Sequence, residues 1–441
     1  MSPVYFPVKC ASITGEILIN AVSYTVFLVL DFLDVVFCII YRYLDEILEG
    51  KPSPCCCRKR GGLVESGEET EVSETLYERR NVFREMGFVG FPRKWEDCRK
   101  PSGIKNDVLV NRWSDCGCES CLSWMEDRDK LHVEVKLPPK AAMEQDCREG
   151  SSENVIFIHG FLSSSSFWTE TVFPNLSEPV KQSYRLIAVD LLGFGRSPKP
   201  RQCLYTLSDH VEMIEKSVID QLEVKSFHLV AHSMGCIIAS ALAAKYPKCV
   251  KSITLVAPPY FSKSKEGASL VALTKLARKM LWPPIPFGSA FMSWYEHLGR
   301  CVCLLICRNH RTWERILKLL TWRRDLHFMI RDFTRHTHHS AWHTMHNVIC
   351  GGAKFMDDFL EILMNFGVKV FVIQGQLDLT VPLECSEEIK RKVPEAEVCI
   401  VSNADHRSVI MGREKEITEH LEHIWASVAD VRTCLEDENG N

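Results

Sequence analysis

A serine, a carboxylate and a histidine follow one another along this chain, each just after a short apolar run. Together they can activate a hydroxyl for attack on an acyl carbon. Ser233 lies in Val230-Ala231-His232-Ser233-Met234-Gly235, Asp378 in Ile373-Gln374-Gly375-Gln376-Leu377-Asp378, and His406 in Val401-Ser402-Asn403-Ala404-Asp405-His406. A serine hydroxyl is a poor nucleophile until a base takes its proton, and an imidazole that titrates near neutral pH suits that task. The carboxylate sets the tautomer of the imidazole and stabilises its cation. Asp405 directly precedes His406 and is poorly placed to reach its ring, so Asp378 is the expected partner, with Glu384 as the alternative.

A nucleophile on a tight strand-to-helix turn needs small residues two places before and after it, because the two backbones run close there. Gly235 meets that need, while Ala231 carries one methyl more than the glycine usual at the first place. Ile158-His159-Gly160-Phe161-Leu162 ends an earlier apolar run. The backbone N–H groups of Phe161 and Met234 are the expected donors to a developing oxyanion. His159, Gly160 and His232 are expected to line the substrate.

These residues need a scaffold, and the pattern from Asn154 onward supplies one. Short apolar runs recur at Val155–Ile158, Leu186–Val189, Phe227–Ala231, Ile253–Val256, Val368–Ile373 and Val398–Val401. They read as strands buried on both faces. Helical stretches such as Leu207–Leu222 and Cys236–Ala244 separate them. The alternation predicts an α/β fold with a mainly parallel sheet and helices on both faces. Residues 151–258 and 368–430 form this expected core. Residues 259–367, helical in texture and rich in Trp, Leu, Arg and His, form an expected cap over the strand ends. Val108–Val110 and Leu131–Leu137, within or after the 81–150 extension's irregular stretch, read as further short strands.

The N-terminal 50 residues are different. Ile17–Ile40 is long and apolar enough to cross a bilayer, yet Asp31 and Asp34 interrupt it, and only Lys9 precedes it as a positive charge. Three readings stand: a targeting or anchoring signal, a helix lying in a membrane interface, and a helix packed on the protein itself. Residues 51–80 begin with a basic stretch containing Cys55, Cys56 and Cys57, candidates for S-acylation beside a membrane, and continue as an acidic linker.

Composition narrows the partners. The 441 residues are 46% hydrophobic and 25% charged, as expected of a globular enzyme, and a net charge of −4 gives no reason to expect nucleic acid. From Lys263 to Arg335 the cap carries 14 Lys and Arg against five Asp and Glu, with Trp294, Trp313 and Trp322 interleaved. That mixture suits an amphipathic substrate or a membrane surface. Twenty cysteines leave the redox compartment open. No cofactor is expected, and no metal. Cys116, Cys118 and Cys121 would need Cys98 as a fourth ligand for zinc, so disulfides are the expectation there in an oxidising compartment. His336, His338, His339, His343 and His346 read as partly exposed cap side chains, although His339 and His343 are one helical turn apart.

The order Ser, Asp, His is that of the α/β-hydrolase fold. The chain resembles that family over roughly Asn154 to Ala426, and Asp190-Leu191-Leu192-Gly193-Phe194-Gly195-Arg196-Ser197 is similar to the family's D-x-x-G-x-G-x-S loop. More closely it resembles the plant BODYGUARD-type hydrolases. The apolar N-terminus, the Cys-rich basic stretch, Leu131-His132-Val133-Glu134-Val135 and the long basic cap carry that likeness. The resemblance implies a lysophospholipase-like esterase of long-chain acyl lipids. It further implies a secreted or membrane-associated protein of the cell wall, with an anchored intracellular location as the alternative, and a role in cuticle formation. Two other readings remain: an acyltransferase or polyester synthase using the same serine, and an inactive hydrolase-like binding protein. An epoxide hydrolase is disfavoured, because that branch of the fold carries Asp where Ser233 stands.

Overall fold

A computed structural model describes residues 5–50, 71–77, 80–86, 112–126, 129–139, 153–261 and 267–438. The expected strand at Val108–Val110, the acylation candidates Cys55 to Cys57 and the ligand candidate Cys98 lie outside the described residues. The chain folds as two compact units, one of Met1–Thr70, Glu74–Cys116 and Leu270–Asn309, the other of Glu71–Ser73, Gly117–Ser269 and His310–Asn441.

The larger unit is built on a seven-stranded sheet: β1 Val133–Lys136, β2 Glu153–Ile158, β3 Tyr184–Val189, β4 Phe227–His232, β5 Val250–Val256, β6 Lys369–Gly375 and β7 Glu397–Val401. Its order is β1-β3-β2-β4-β5-β6-β7. Only β1 runs antiparallel to its neighbour; every other pairing is parallel. Side chains alternate between the faces of a strand, so a strand covered on both sides is apolar at every position. Ile156 and Ile158 enter one core with Leu229, Ala231, Ile253 and Leu255, while Val155 and Phe157 enter a second with Val230, Phe371 and Ile373. This is the mainly parallel sheet with helices on both faces that the sequence pattern predicts.

The sequence placed all seven of these strands within three residues of their observed ends, β1 among them from the expected Leu131–Leu137. The helix expected at Leu207–Leu222 is α-helical over Leu207–Ile214 and continues as a π-helical turn over Glu215–Asp220.

The smaller unit centres on the helix Tyr5–Glu49. Phe27 is buried with Ala290, Tyr295 and Leu298. The carboxylates that interrupt the apolar run are buried here and satisfied. Tyr295 donates its hydroxyl to Asp31 Oδ1 at 2.9 Å. Asp34 pairs with Arg84 at 2.6 Å and accepts the backbone N–H groups of His297 and Leu298, at the start of the helix Glu296–Leu305. Asp45 receives both terminal nitrogens of Arg300, at 2.8 and 2.6 Å, and the indole N–H of Trp113 at 2.6 Å.

The 259–367 insertion was expected to form one cap. Instead Leu270–Asn309 belongs to the smaller unit and the rest of the insertion from His310 to the larger. Tyr295 and Arg300 are the reason: they answer buried carboxylates of the N-terminal helix.

Candidate active site

Ser233 occupies the turn between β4 and the helix Met234–Lys245, with φ +53° and ψ −125°. Few non-glycine residues adopt such a backbone, and the surrounding structure must hold it. The Ser233 N–H donates to Val256 O at 2.8 Å on the neighbouring strand. Crowding explains Gly235: a Cβ there would stand 2.5 Å from His159 O and 2.8 Å from Ile158 O. Ala231 is fully buried in the sheet, where its methyl joins the core, so the departure at that place is accommodated.

The imidazole of His406 lies between the other two groups. Its Nε2 is 2.9 Å from Ser233 Oγ, and its Nδ1 is 2.7 Å from Asp378 Oδ2. The Asp378 side chain is wholly buried and that of His406 is 16% exposed. Asp378 Oδ1 accepts the backbone N–H groups of Thr380 and Val381, both at 2.8 Å, which leaves Oδ2 aimed at the ring. The loops after β6 and β7 are tied together: Gln376 donates to Val401 O at 3.0 Å and Leu377 to Ala404 O at 2.8 Å. Gly375 permits this approach, since a Cβ would meet Ala404 O at 2.6 Å. Asp405 is turned into its own loop, where Oδ1 accepts from Arg407 N and Ser408 N. Glu384 is exposed on the helix Leu383–Lys392.

Two histidines expected to line the substrate are engaged elsewhere. His159 is fully buried; its Nδ1–H donates to Gly160 O at 2.7 Å and its Nε2 accepts from Leu191 N at 2.9 Å. With both nitrogens used, it has none left for a substrate, and it fixes the loop that carries Gly160 and Phe161. Burial lowers its pKa, which keeps the ring neutral and this tautomer in place. His232 stacks on Phe167 at 4.8 Å and donates Nε2–H to His406 O at 3.0 Å. Burial, then the neighbouring His406, pushes its pKa down to about 3. Phe161 is half-buried beside the turn's loop partners, and Met234 is the first residue of its helix, so its N–H has no intrahelical acceptor.

Asp190 is the hub of the D-x-x-G-x-G-x-S loop. Its Oδ1 accepts from Ser165 N at 2.6 Å and its Oδ2 from Arg196 N at 2.8 Å. Asp332, from the insertion, is buried and accepts the Ser164 hydroxyl at 2.6 Å, while its Oδ1 has no partner among the described residues. Burial is the main cause that raises its pKa to about 6. No spacing in the sequence announces this pair, whose members stand 168 positions apart. Phe328, four residues earlier, approaches Phe167, the ring that stacks on His232.

The cap histidines were expected to be partly exposed. His336, His338, His343 and His346 are buried instead, packed among rings such as Trp342. His339 Nε2 is 2.9 Å from Cys203 O.

Comparison with known proteins agrees with this architecture. A family profile described as "alpha/beta hydrolase fold" matches residues 153–278. The chain is 53% identical to "Probable lysophospholipase BODYGUARD 4" of Arabidopsis thaliana, over 94% of this chain and 98% of that protein. It is 51% identical to "Probable lysophospholipase BODYGUARD 5", over 96% and 97%, and 41% identical to "Probable lysophospholipase BODYGUARD 1", over 92% and 96%, both also of Arabidopsis thaliana.

Proposed function

The chain belongs to the BODYGUARD family of α/β-fold hydrolases, and from that premise we propose a serine hydrolase that cleaves an ester of a long-chain acyl lipid. The supporting observation is the single line of contacts Ser233 Oγ, His406 Nε2, His406 Nδ1 and Asp378 Oδ2, at 2.9 and 2.7 Å. Ser233 Oγ attacks the ester carbonyl as its proton passes to His406 Nε2. Asp378 stabilises the imidazolium through Nδ1–H. The N–H groups of Phe161 and Met234 receive the oxyanion. Collapse expels the alcohol, protonated by His406, and leaves an acyl group on Ser233. Water, deprotonated by His406, then releases the fatty acid and restores the hydroxyl. A neutral His232 matters here, because a second cation against the His406 ring would oppose its protonation.

Lipid as the substrate class is supported by the family name and by the surface of the insertion. On and just after the helix His310–Thr321, Leu319, Leu320 and Trp322 are 75%, 71% and 94% exposed, among Arg311, Arg315, Lys318, Arg323 and Arg324. Exposed apolar rings and basic heads on one helix suit an anionic lipid surface. The N-terminal helix likewise turns Leu18, Val22, Tyr24, Val29 and Phe32 outward, while its carboxylates face partners within the smaller unit. This favours a retained helix that lies against lipid over a cleaved signal. Cell-wall location and a cuticle role rest on the resemblance alone; imaging the tagged full-length chain in epidermal cells tests them.

The decisive experiment is labelling of the full chain with a fluorophosphonate, followed by a lysophospholipid hydrolysis assay. The wild type is captured and releases fatty acid; Ser233→Ala does neither. A folded wild type that stays unlabelled sinks the proposal. Adding a hydroxy-fatty-acid acceptor distinguishes hydrolysis from acyl transfer by the product formed.

A further inference from the structure

Cys118 immediately precedes the helix Glu119–Glu126, where its carbonyl accepts Leu122 N–H, and Cys121 lies in that helix's first turn, three positions on. Both sulfurs lie 3.5 Å from one atom, Nε2 of His310. The three donor atoms fall within 4.8 Å of one another. A hydrogen bond does not explain this arrangement, because an imidazole nitrogen has either one lone pair or one proton and serves one sulfur well. A disulfide between the two cysteines would leave the convergence on Nε2 without a reason. A shared cation accounts for it. Tetrahedral zinc with Zn–S of about 2.3 Å and Zn–N of about 2.0–2.1 Å sets each S···N separation at about 3.5–3.6 Å.

The other ring nitrogen supports the same reading. His310 Nδ1 faces Glu314 Oε1 at 3.4 Å, one helical turn further on. A carboxylate behind a ligating histidine fixes the tautomer that leaves Nε2 free to bind a metal. His310 is also the only buried residue of the helix His310–Thr321. A helix with so little buried surface gains almost nothing from packing. Something other than an apolar face must hold it in place.

We propose that Cys118, Cys121 and His310 bind a zinc ion, with Cys116, two residues upstream on the same C-x-C-x-x-C loop, as the fourth ligand. Thiolate and imidazole donors select zinc over the hard cations. Four protein ligands close the coordination sphere, so the ion is structural and has no part in the chemistry at Ser233. It ties the loop to the base of the basic, lipid-suited helix and holds that helix out for contact. This replaces the expected disulfides and the expected Cys98 with a histidine 189 positions beyond Cys121.

The test uses the full chain, purified without chelator and assayed for zinc by mass spectrometry. The expected result is about one zinc per chain, falling at least about tenfold in Cys118→Ser/Cys121→Ser and in His310→Ala, while Cys249→Ser keeps its zinc. Cobalt exchanged into the wild type should show the ligand-field bands of a tetrahedral thiolate site, a readout that needs no variant. Chelator added to the wild type should speed proteolysis within residues 310–324. Wild-type protein that takes up no zinc when supplied with it, a Cys118–Cys121 disulfide in a non-reducing peptide map, or full zinc retention by the double variant each overturns the proposal.

Discussion

Asp378 in the larger unit and Asp45 in the smaller are both buried carboxylates beside apolar sequence, at 5% and 1% exposure, and the proposed mechanism gives them opposite uses. Asp45 meets a guanidinium in a two-point contact, with Tyr41 and Trp113 rings against the Arg300 face. Arginine does not give up its proton, so the pair is a fixed joint. Asp378 meets an imidazole, and two backbone N–H groups hold its other oxygen. An imidazole can accept and return a proton where a guanidinium cannot, so that contact suits a proton relay. The partner, more than the burial, decides whether a buried carboxylate fastens a fold or serves a reaction.

The largest expected effect lies on the reactive side of this comparison. Asp378→Asn keeps the shape and removes the charge behind His406; kcat should fall about 10⁴-fold with little change in folding. Steady-state kinetics on a lysophospholipid, with circular dichroism as the folding control, checks it. A loss of only a few-fold would place Asp378 with Asp45 as a structural residue. On the fixed side, Arg300→Met leaves Asp45 buried without its cation and should cost about 3–5 kcal/mol of stability, while the doubly substituted Asp45→Asn/Arg300→Met recovers part of it. Urea denaturation reads both, and equal stabilities would break the contrast.

Asp332 stands between the two cases, as a buried carboxylate with a hydroxyl in contact but, among the described residues, no cation in direct contact. Its pKa is raised from 3.8 to about 6, so the folded state binds more protons than the unfolded state between those values. Its contribution is therefore complete below about pH 4 and is lost as pH rises through about 6. Asp332→Asn should remove that slope and stabilise the protein above pH 6 by on the order of 2–3 kcal/mol, measured as urea midpoints across the range. The smallest effect is expected at His232, which holds the backbone of His406 and not a charge. His232→Phe keeps the ring beside Phe167 and loses the hydrogen bond, so kcat should fall about tenfold with KM unchanged, about 1.4 kcal/mol. A change confined to KM would assign His232 to substrate contact instead.

Much of the core was legible because its signals are local. Val155 to Ile158 and Phe227 to Ala231 are apolar at every position, and that pattern has few outlets other than a strand covered on both faces. The strand ends then placed Ser233, Asp378 and His406 in loops at one end of a parallel sheet. The histidines misled, because a histidine's type does not say whether its nitrogens face a ligand or a backbone carbonyl. His159, His336, His338, His343 and His346 proved to be interior, while His339 is partly exposed as expected. The N-terminal helix shows the reverse: by sequence Asp31 and Asp34 are costs to a membrane segment, and in the fold Tyr295 and Arg84 meet them.

Sequence alone determined the order of the strands along the chain, the turn at Ser233 and the candidate acid–base partners, since each depends on neighbours within a few positions. Tertiary structure decided what distant residues meet: which carboxylate faces Arg300, which hydroxyl faces Asp332, and that Cys118 and Cys121 converge on His310. Those contacts form across separations of about 170 to 260 positions. Hydrogen bonds and ion pairs act over a few ångströms, so only the folded path of the chain can select them.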